Sequence, residues 1–391
     1  MFAVEGKVVT EQQVIANGVV AIEGETISWV GPAAEFTGKI TTHSDYILPG
    51  LVDVHCHGGG GASFPDALDA SDAKRAAAEH LRHGTTTMVG SLVTQDEPVL
   101  LKQAELLAQL CEEGMLAGIH FEGPFVSAGH CGAQDPRYIR EPDTDFVNGL
   151  LAACNGWART MTIAPEKPGV LGEDGIAAAL IAGGVIPSYG HTDASSEEFR
   201  EAVEQTAQMM SGGNARCNVP TATHLFNGMA PMHHREPGPV PEALAAARRG
   251  RLIVEVICDG VHVSPSLVRN VYELVGREAI TFVTDSMAAA GMEDGHYRLG
   301  PQEVDVRDGK AFLAGGTSLA GGTSHLLGCV KIAVTAGIPL LDAVYCAATS
   351  GAKVLGMKHV GSIEVGKQAD LVLADTNLSA RTVIKAGRQL D

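Results

Sequence analysis

The 391-residue chain has little positive charge, with 28 Lys and Arg against 46 Asp and Glu and a formal net charge of −18 at pH 7. A surface this acidic repels the phosphates of nucleic acids and of anionic membranes, so we expect neither partner. The sequence also lacks an apolar run long enough to span a bilayer, and no basic stretch followed by an apolar core opens it. These absences lead us to expect a cytoplasmic location.

Other absences narrow the class of protein further. The eight cysteines include no Cys-x-x-Cys pair, which argues against a zinc knuckle or a disulfide framework. Glycine clusters at 58–61 and 315–322 lack the strand, spacing and helix of a nucleotide-binding loop. With 45% hydrophobic and 19% charged residues, the chain is neither disordered nor fibrous.

Short β-prone stretches alternate with helical segments through the middle of the chain. Ser71 is a candidate cap for a helix over 72–83, and Pro98 can open a helix that ends near Gly114. Ser195-Ser196-Glu197-Glu198 predicts a capping box before a helix that reaches Met210, and Ser264-Pro265 predicts the start of a helix closed by Gly276. The eight candidate strands are 47–54, 86–92, 116–121, 160–166, 185–190, 222–223, 253–258 and 280–284. This alternation predicts an α/β fold with a (β/α)8 TIM-type barrel over residues 50–355.

The two ends of the chain have a different character. Residues 1–49 and 356–391 consist of β-prone stretches separated by turn signals, and neither end is long enough to bury a core alone. We therefore predict that they pair into one small β-sandwich beside the barrel.

Ionisable side chains stand at the carboxyl ends of several predicted strands, which meet at one rim of a barrel. Glu122, His191 and His224 offer one carboxylate and two imidazoles from three strands, a set that suits Zn²⁺ with a position left for water. His55 and His57 face one side of an extended strand and can form a second site that Glu122 bridges. Any one of these histidines alone is more often structural, but the ordered set favours metal-assisted hydrolysis.

Two further groups fit this chemistry. Asp285 ends the last predicted strand, where a carboxylate can take a proton from water and return it to a leaving group. Arg235 follows His224 in one loop, and its planar fork suits a phosphate or carboxylate, with His262 as a second contact. The alternative for Arg235 is a solvated salt bridge with Glu236.

The ordered motifs resemble the N-acetylglucosamine-6-phosphate deacetylases of the amidohydrolase superfamily over nearly the whole chain. The resemblance is carried by Pro49-Gly50-Leu51-Val52-Asp53, His120-Phe121-Glu122-Gly123-Pro124-Phe125, Thr162-Ile163-Ala164-Pro165-Glu166, Gly190-His191-Thr192-Asp193-Ala194, Thr223-His224-Leu225-Phe226-Asn227-Gly228-Met229, Asp259-Gly260-Val261-His262, Thr284-Asp285 and Gly361-Ser362-Ile363.

The resemblance implies hydrolysis of N-acetylglucosamine 6-phosphate to glucosamine 6-phosphate and acetate. It implies that Glu122, His191 and His224 hold one essential divalent metal, with zinc expected, and that Asp285 is the acid/base. It also implies a homodimer, in which one subunit contributes phosphate contacts to its neighbour's site. The implied substrate-binding residues are Ala133, Gln134, Asn227, Gly228, Arg235, Asp259, His262, Leu313, Ala314 and Gly315.

The chain departs from the family pattern in two places. Some members have Gln and Asn where this chain has His55 and His57, and those bind one metal, so a second ion is chemically allowed here. The family often reads Lys-Lys-Gly-Ala-His in the loop after Glu122, whereas this chain has Cys131-Gly132-Ala133-Gln134 at its end. Cys131 is expected to be a partly buried thiol without a role. The alternative is a lid residue that touches substrate or metal.

Two other functions remain open from the residues. One is a different barrel amidohydrolase, such as a cyclic amidase or a nucleobase deaminase. A cyclic-amide hydrolase often has a carboxylated lysine after its fourth strand, but this chain reads Thr162-Ile163-Ala164-Pro165-Glu166 there. The other is a sugar-phosphate sensor that kept the fold without catalysis.

Overall fold

A computed structural model describes residues 2–211 and 216–390, so Met1 and Asp391, the ends of the predicted sandwich, lie outside the described residues. In chain order the strands are β1 (Phe2–Val9), β2 (Val14–Glu23), β3 (Thr26–Pro32), β4 (Thr42–Pro49), β5 (Leu51–Cys56), β6 (Gly58–Gly59), β7 (Ala62–Ser63), β8 (Thr85–Val93), β9 (Gly118–Glu122), β10 (Ala158–Ile163), β11 (Ile186–Tyr189), β12 (Thr221–Ala222), β13 (Ile253–Ile257), β14 (Ile280–Val283), β15 (Gly295–Leu299), β16 (Gln302–Arg307), β17 (Lys310–Leu313), β18 (Leu371–Ala374), β19 (Ala380–Lys385) and β20 (Arg388–Gln389). The α-helices are α1 (Ala70–Arg82), α2 (Glu97–Glu112), α3 (Thr144–Ala153), α4 (Ile176–Ala182), α5 (Ser196–Met210), α6 (Pro239–Arg248), α7 (Pro265–Val275), α8 (Leu326–Thr335), α9 (Leu340–Ala347) and α10 (Thr349–Val354).

Eight parallel strands form the barrel in the order β5-β8-β9-β10-β11-β12-β13-β14. Between β14 and β5, the amide of Asp285 donates to the carbonyl of His55 at 2.9 Å, and the Thr284 hydroxyl donates to Asp53 at 2.6 Å. The predicted (β/α)8 barrel is therefore confirmed. Because its strands are parallel, their carboxyl ends lie at one rim.

The composition of the strands explains why they occupy the centre of the molecule. Every residue of β8, β9, β10 and β13 is buried, as expected for strands covered on both faces. The helices around them are amphipathic. In α7, Val268, Val271 and Val275 are buried at helical spacing while Leu274 is exposed.

The helix starts agree with the sequence in most places and differ in one. The capping box at Ser195 and Glu198 and the cap at Ser264 are confirmed. The predicted cap at Ser71 is wrong, because the carboxylate of Asp69 accepts from the amides of Ser71 and Asp72, and α1 begins before Ser71. An ionised carboxylate at a helix N-terminus also interacts favourably with the helix dipole.

Both ends of the chain pair in one seven-stranded mixed sheet, ordered β20-β19-β18-β4-β1-β2-β3. The C-terminal β18 runs antiparallel to β4, with Leu371 opposite Pro49, while β4 runs parallel to β1. Only Gly50 separates β4 from β5, so the sheet attaches directly to the first barrel strand. The predicted pairing of the chain ends is confirmed. The exact division at residues 50 and 355 stays a prediction.

A three-stranded antiparallel sheet, β15-β16-β17, lies between β14 and α8 and was not predicted from the sequence. Its inner residues, among them Leu299 and Val304, pack against Met287 and Ala288 just beyond β14. The insertion therefore stands beside the rim where the strands end. Within residues 2–211 and 216–390, no helix combines the length and apolarity needed to cross a bilayer.

Candidate metal centre

Three predicted ligands converge at the carboxyl rim of the barrel. Glu122 ends β9, His191 follows β11 and His224 follows β12. The Oε1 of Glu122 lies 2.8 Å from Nε2 of His191 and 2.9 Å from Nε2 of His224, and these two nitrogens are 3.1 Å apart. All three side chains are buried. One carboxylate oxygen and two imidazole nitrogens thus face a common point.

A second group shares Glu122. Its Oε2 lies 3.1 Å from Nε2 of His57, which is also 3.1 Å from Oδ1 of Asp285. Nε2 of His55 is 3.2 Å from that of His57 and 3.4 Å from Oδ1 of Asp285. Four side chains from β5, β9 and the end of β14 therefore form a second cluster of donor atoms, with Glu122 between the two clusters.

The second ring nitrogen of three histidines is fixed by a neighbour. Nδ1 of His191 lies 2.8 Å from the carbonyl of His130, and Nδ1 of His57 lies 3.2 Å from the carbonyl of Ser91. Nδ1 of His55 lies 3.1 Å from the carboxylate of Glu255. Metal-ligating histidines usually donate their other N–H in this way, which leaves Nε2 as the lone-pair donor.

Glu255 is a functional candidate that the sequence analysis missed. It lies in the middle of β13, is 1% exposed, and accepts at 3.3 Å from the amide of His224 as well as facing His55. A carboxylate in the run Ile253-Val254-Glu255-Val256-Ile257 was the available signal, because an acidic residue is almost never buried without a partner.

His120 is a second residue without an assigned role in the sequence analysis. Its ring packs against that of His55 with centroids 4.3 Å apart, and its nitrogens lie 3.0 Å from Ser91 Oγ and 2.9 Å from Thr162 Oγ1. Burial and the neighbouring His55 hold the pKa of His120 well below its ordinary value. A neutral His120 therefore supports the ligands from inside the barrel.

Opposing effects set the charges of the cluster. Burial raises the pKa of Glu122, but hydrogen bonds with His191, His224 and His57 outweigh it and hold that pKa well below its ordinary value. Burial also raises the pKa of Asp285, whereas the charge of His55 and the bond with His57 lower it on balance. Both carboxylates are therefore ionised at neutral pH. A buried pair of anions needs cations close by.

The backbone is held in an uncommon conformation where the site residues leave the strands. His191, His224 and Asp285 have φ values of 48°, 28° and 49°. Residues other than glycine rarely adopt this left-handed conformation, which costs of order 1–3 kcal/mol per residue. Such residues are concentrated at functional sites. The turns direct all three side chains toward the cluster.

The donor set fits a divalent transition metal ion. Imidazole nitrogens and carboxylate oxygens are ligands for such ions, and here their donor atoms lie within 4.8 Å of one another in both groups. Nδ1 of His224 has no hydrogen-bond partner among the described residues, so His224 makes its close contacts through the nitrogen that faces Glu122. Glu122, His191 and His224 would hold one ion, and His55, His57, Glu122 and Asp285 a second.

A cavity of about 350 Å³ opens onto the cluster, and several predicted substrate-binding residues line it. They are Ala133, Gln134, Asn227, Gly228 and His262. Leu299, Ser318, Leu319 and Gly321, which the sequence analysis did not predict, also line it and belong to or follow the inserted sheet.

Two of the lining residues have constrained environments. Gly228 has φ 59°, and a Cβ there would lie 2.5 Å from Nδ1 of His191, so a larger residue would displace a candidate ligand. Nδ1 of His262 lies 2.7 Å from the carboxylate of Asp259, which also accepts from the amide of His262. Asp259 thus orients His262 and is not itself part of the cavity wall.

Gln134 contacts the candidate ligand set directly. Its Nε2 donates to Oε2 of Glu122 at 2.6 Å, and its Oε1 accepts from the amide of Thr94 at 2.7 Å. Both ends of the amide are therefore occupied, and the side chain is buried. In this structure Gln134 supports the central carboxylate.

The remaining predicted residues lie around the cavity without lining it. Arg235 is exposed, and its Nη1 lies 2.8 Å from Nε2 of His234 rather than on Glu236. Leu313 is half-buried at the end of β17, and Ala314 and Gly315 after it are exposed. Cys131 is half-buried beside the lining residue Gly132, and burial raises the pKa of its thiol, as expected for an unreactive cysteine.

Comparison with known proteins agrees with this fold and identifies the family of the chain. The model of the amidohydrolase family matches residues 46–390. An N-acetylglucosamine-6-phosphate deacetylase of Bacillus subtilis (strain 168) is 33% identical over 405 residues, covering 97% of this chain and 94% of its own. An N-acetylgalactosamine-6-phosphate deacetylase of Escherichia coli O157:H7 is 31% identical over 387 residues, covering 97% and 94%.

A solved structure is also similar over nearly the full length. A variant of N-acetyl-D-glucosamine-6-phosphate deacetylase from Mycobacterium smegmatis, in complex with N-acetyl-D-glucosamine 6-phosphate, superposes with a TM-score of 0.91 at 36% identity. The match covers 99% of this chain and 98% of that one. The family match, the similar full-length chains and the clustered imidazoles and carboxylates agree: this chain belongs to the amidohydrolase family.

Proposed function

We propose that the protein hydrolyses the acetamido group of N-acetyl-D-glucosamine 6-phosphate, giving D-glucosamine 6-phosphate and acetate. The observation that carries this function is the convergence of Glu122, His191 and His224 with Asp285 beside one cavity. The choice of substrate rests on the full-length similarity to deacetylases of this phosphosugar.

Each residue of the cluster has a proposed role in the hydrolysis. A divalent ion bound here would supply an acidified water at neutral pH and polarise the acetyl carbonyl. Asp285 is ionised and faces the cavity, so its carboxylate takes the proton of the attacking water. The same carboxyl then gives the proton to the amide nitrogen, which departs as an amine. His55 and His57, at 3.4 and 3.1 Å, hold the Asp285 carboxylate in place.

Zinc is the ion we propose for the Glu122, His191 and His224 set, because one carboxylate and two imidazoles with an open position are typical of catalytic zinc. A second ion at His55 and His57 is compatible with the donor atoms around it. The cytoplasmic location expected from the sequence stays a prediction.

We also propose a homodimer in which Arg235 reaches the phosphate in a neighbouring subunit's site. Arg235 is exposed on the loop that follows His224 and lies outside the cavity of its own chain. Among described residues, the one titratable cation in that cavity wall outside the metal cluster is His262. A phosphate dianion is usually gripped by an arginine fork, so a second subunit would complete the site.

The galacto epimer is a second candidate substrate. A relative that acts on N-acetylgalactosamine 6-phosphate covers this chain as fully as the glucosamine-type relatives do. The two sugars differ only in the orientation of one hydroxyl. Comparing kcat/KM for the two phosphosugars separates these candidates, with dihydroorotate and adenine as controls for other barrel hydrolases.

The Asp285→Asn variant tests the proposed role of this residue. General acid–base catalysis contributes about 10²–10⁴-fold, so we expect acetate release to fall by that factor while phosphosugar binding is retained. Asp96→Asn, at an exposed carboxylate just beyond β8 that makes no side-chain hydrogen bond with a described residue, is the matched control and should keep its turnover. Full turnover by Asp285→Asn would contradict the mechanism. Metal-independent binding without turnover in the unmodified protein would favour a sensor.

A further inference from the structure

A second cavity, of about 270 Å³, lies at the opposite end of the barrel from the metal cluster. It is lined by the starts of β8, β9 and β10, where Thr86, Ala117 and Arg159 lie, and by Lys385 of the terminal sheet. Arg159 stands four residues before Ile163 at the rim end of β10, a separation of about 13 Å along the strand. The cavity is therefore distinct from the candidate active site.

The wall of this cavity contains basic residues and no carboxylate among the described residues. The basic residues are Arg159, Arg216, His359 and Lys385. The chain as a whole carries 46 acidic residues against 28 basic ones. The basic character of this wall is therefore opposite in sign to the net charge of the chain. Arg159, Arg216 and Lys385 form no salt bridge with any described carboxylate.

Arg159 is the buried centre of this cluster. It is 5% exposed, and its Nε and Nη1 donate to the carbonyls of Ala117 and Gly156 at 2.9 and 3.0 Å. Those bonds orient the guanidinium but do not neutralise it, and its Nη2 makes no hydrogen bond with a described residue. Gly118 makes room for it, because a Cβ there would lie 2.1 Å from Cγ of Arg159.

Arg159 and Lys385 lie where burial disfavours their charge, and neither forms an ion pair with a described carboxylate. Burial and the charge of Arg216 lower the pKa of Arg159 to about 10, and burial lowers the pKa of Lys385. The charge of Asp370 acts on Lys385 in the opposite sense, but its oxygens accept from Gln368 and from the amide of Ala386. A bound anion would offset both effects, since a buried charge is stabilised only when paired.

The rest of the wall is apolar and includes an aromatic ring. Met115, Leu116, Leu355 and Met357 line it together with Trp157, over whose ring the guanidinium of Arg159 lies at 5.0 Å. Cations next to an apolar, aromatic surface suit a ligand with a phosphate and a planar or apolar part. We propose that this cavity is a binding site for a small phosphorylated organic molecule, separate from the active site.

The chain offers a local reporter for this site. It has only two tryptophans, Trp29 in β3 and Trp157 in the cavity wall. In a Trp29→Phe variant, intrinsic fluorescence reports on Trp157 alone, so binding at the metal cluster does not give the signal directly. The probes are phenyl phosphate, which has a dianion and a planar ring, and inorganic pyrophosphate, which has only the anion.

Both probes are titrated into Trp29→Phe, into the same protein with Arg216→Gln and Lys385→Gln, and into a control with Lys39→Gln and Lys102→Gln. The control loses the same charge at exposed positions elsewhere. We expect saturable fluorescence changes with phenyl phosphate, binding at least tenfold weaker in the cavity variant, and no weakening in the control. Pyrophosphate should bind more weakly than phenyl phosphate.

Two results would overturn the proposal: no saturable change with either probe, or equal affinity in the cavity variant and the control. Equal affinity for the two probes would show that the site recognises the anion alone, which would overturn the claim that the ligand has an organic part. Melting temperatures of the variants check that they are folded. Acetate release is measured in parallel, and since neither Arg216 nor Lys385 lies near the metal cluster, it should not change. A failure here therefore leaves the proposed deacetylation untouched.

Discussion

The two histidine pairs of the metal centre share Glu122 but differ in what surrounds them. His191 and His224 face one oxygen of one carboxylate, and His191 is oriented by a neutral backbone carbonyl. His55 and His57 face Glu122 and Asp285, and His55 has Glu255 behind it as well. The first pair therefore has a single anion to share, whereas the second lies among three.

We call each histidine pair with its neighbouring carboxylates a half of the metal centre. The difference in carboxylates leads us to expect that the two halves behave differently without a metal. Burial lowers the pKa of His57, but bonds with Asp285 and Glu122 outweigh it and raise that pKa to about 10. Protons can thus replace an ion in the His55 and His57 half, which forms ion pairs by itself. Burial lowers the pKa of His191 and its bond with Glu122 raises that pKa on balance, but this half has one carboxylate to attract protons, so we expect an ion to compete with protons more easily there. We expect the first ion to bind in that half.

Removing the shared residue should have the largest effect. Glu122→Gln removes the one carboxylate that both halves share, so we expect loss of bound metal and at least a thousandfold drop in turnover, because a catalytic ion contributes several kcal/mol. Metal content by plasma emission and acetate release measure the two effects. Glu236→Gln, at an exposed glutamate, is the control. Retained metal in Glu122→Gln would show that the carboxylate does not join the two halves.

A matched pair of variants tests which half holds the essential ion. His191→Gln should lose the ion and most turnover, while His57→Gln should keep one ion per chain and lose less. The reason is that His57 contacts only the second cluster, whereas His191 belongs to the first. Metal content and kcat are measured at one fixed concentration of zinc. The reverse ranking would mean that the His55 and His57 half binds the essential ion.

Glu255→Gln should have a smaller effect, confined to one half. Partners that orient a ligating histidine typically change metal affinity by 10–100-fold, and Glu255 orients His55. We expect weaker binding of a second ion with the first unchanged, measured by competition with a chelator. Glu273→Gln, on the exposed face of α7, is the charge control. Equal weakening of both ions would show that Glu255 acts through the His224 amide instead.

The smallest effect concerns the stability of the metal-free protein. The pKa of His55 is raised to about 8 from an ordinary 6.5, because the charges of Asp285, Glu255 and Glu122 outweigh burial. A raised pKa stabilises the folded state below pH 6.5, and this stability is lost as the pH rises through 8. The loss is on the order of 2 kcal/mol.

Urea unfolding of chelated protein at pH 6.5 and 9 measures this change. We expect a lower midpoint at pH 9, a flatter response in His55→Asn, and a flatter response again when metal is bound. If the stability of the metal-free protein does not fall between pH 6.5 and 9, then protonation of His55 does not stabilise the folded state. That result would contradict the idea that protons replace an ion in the His55 and His57 half.

The sequence predicted the parts of the fold that repeat a local pattern. Eight short apolar strands with intervening helices sufficed for the barrel, and strand ends located Glu122, His191, His224 and Asp285 because parallel strands end at one rim. It missed the inserted β15-β17 sheet, although Val304 and Val306 of β16 alternate with polar residues, because strands of four to six residues outside the barrel repeat give only a weak signal.

Contacts between distant residues were harder to predict. Glu255 was read as part of a strand, since nothing nearby in sequence shows that its side chain meets His55, 200 positions away. Gln134 was considered only as a substrate contact, whereas its amide bonds Glu122. The cap at Asp69 was missed because Ser71 is an equally good capping residue two positions later.

The most direct test of the account is metal analysis of the purified protein coupled to acetate release from N-acetylglucosamine 6-phosphate. Metal content and turnover are measured before chelation, after it, and after one equivalent of zinc is restored. We predict at least one ion per chain, loss of turnover with the ion, and recovery on its return. Full turnover by a protein shown to be metal-free would contradict the account.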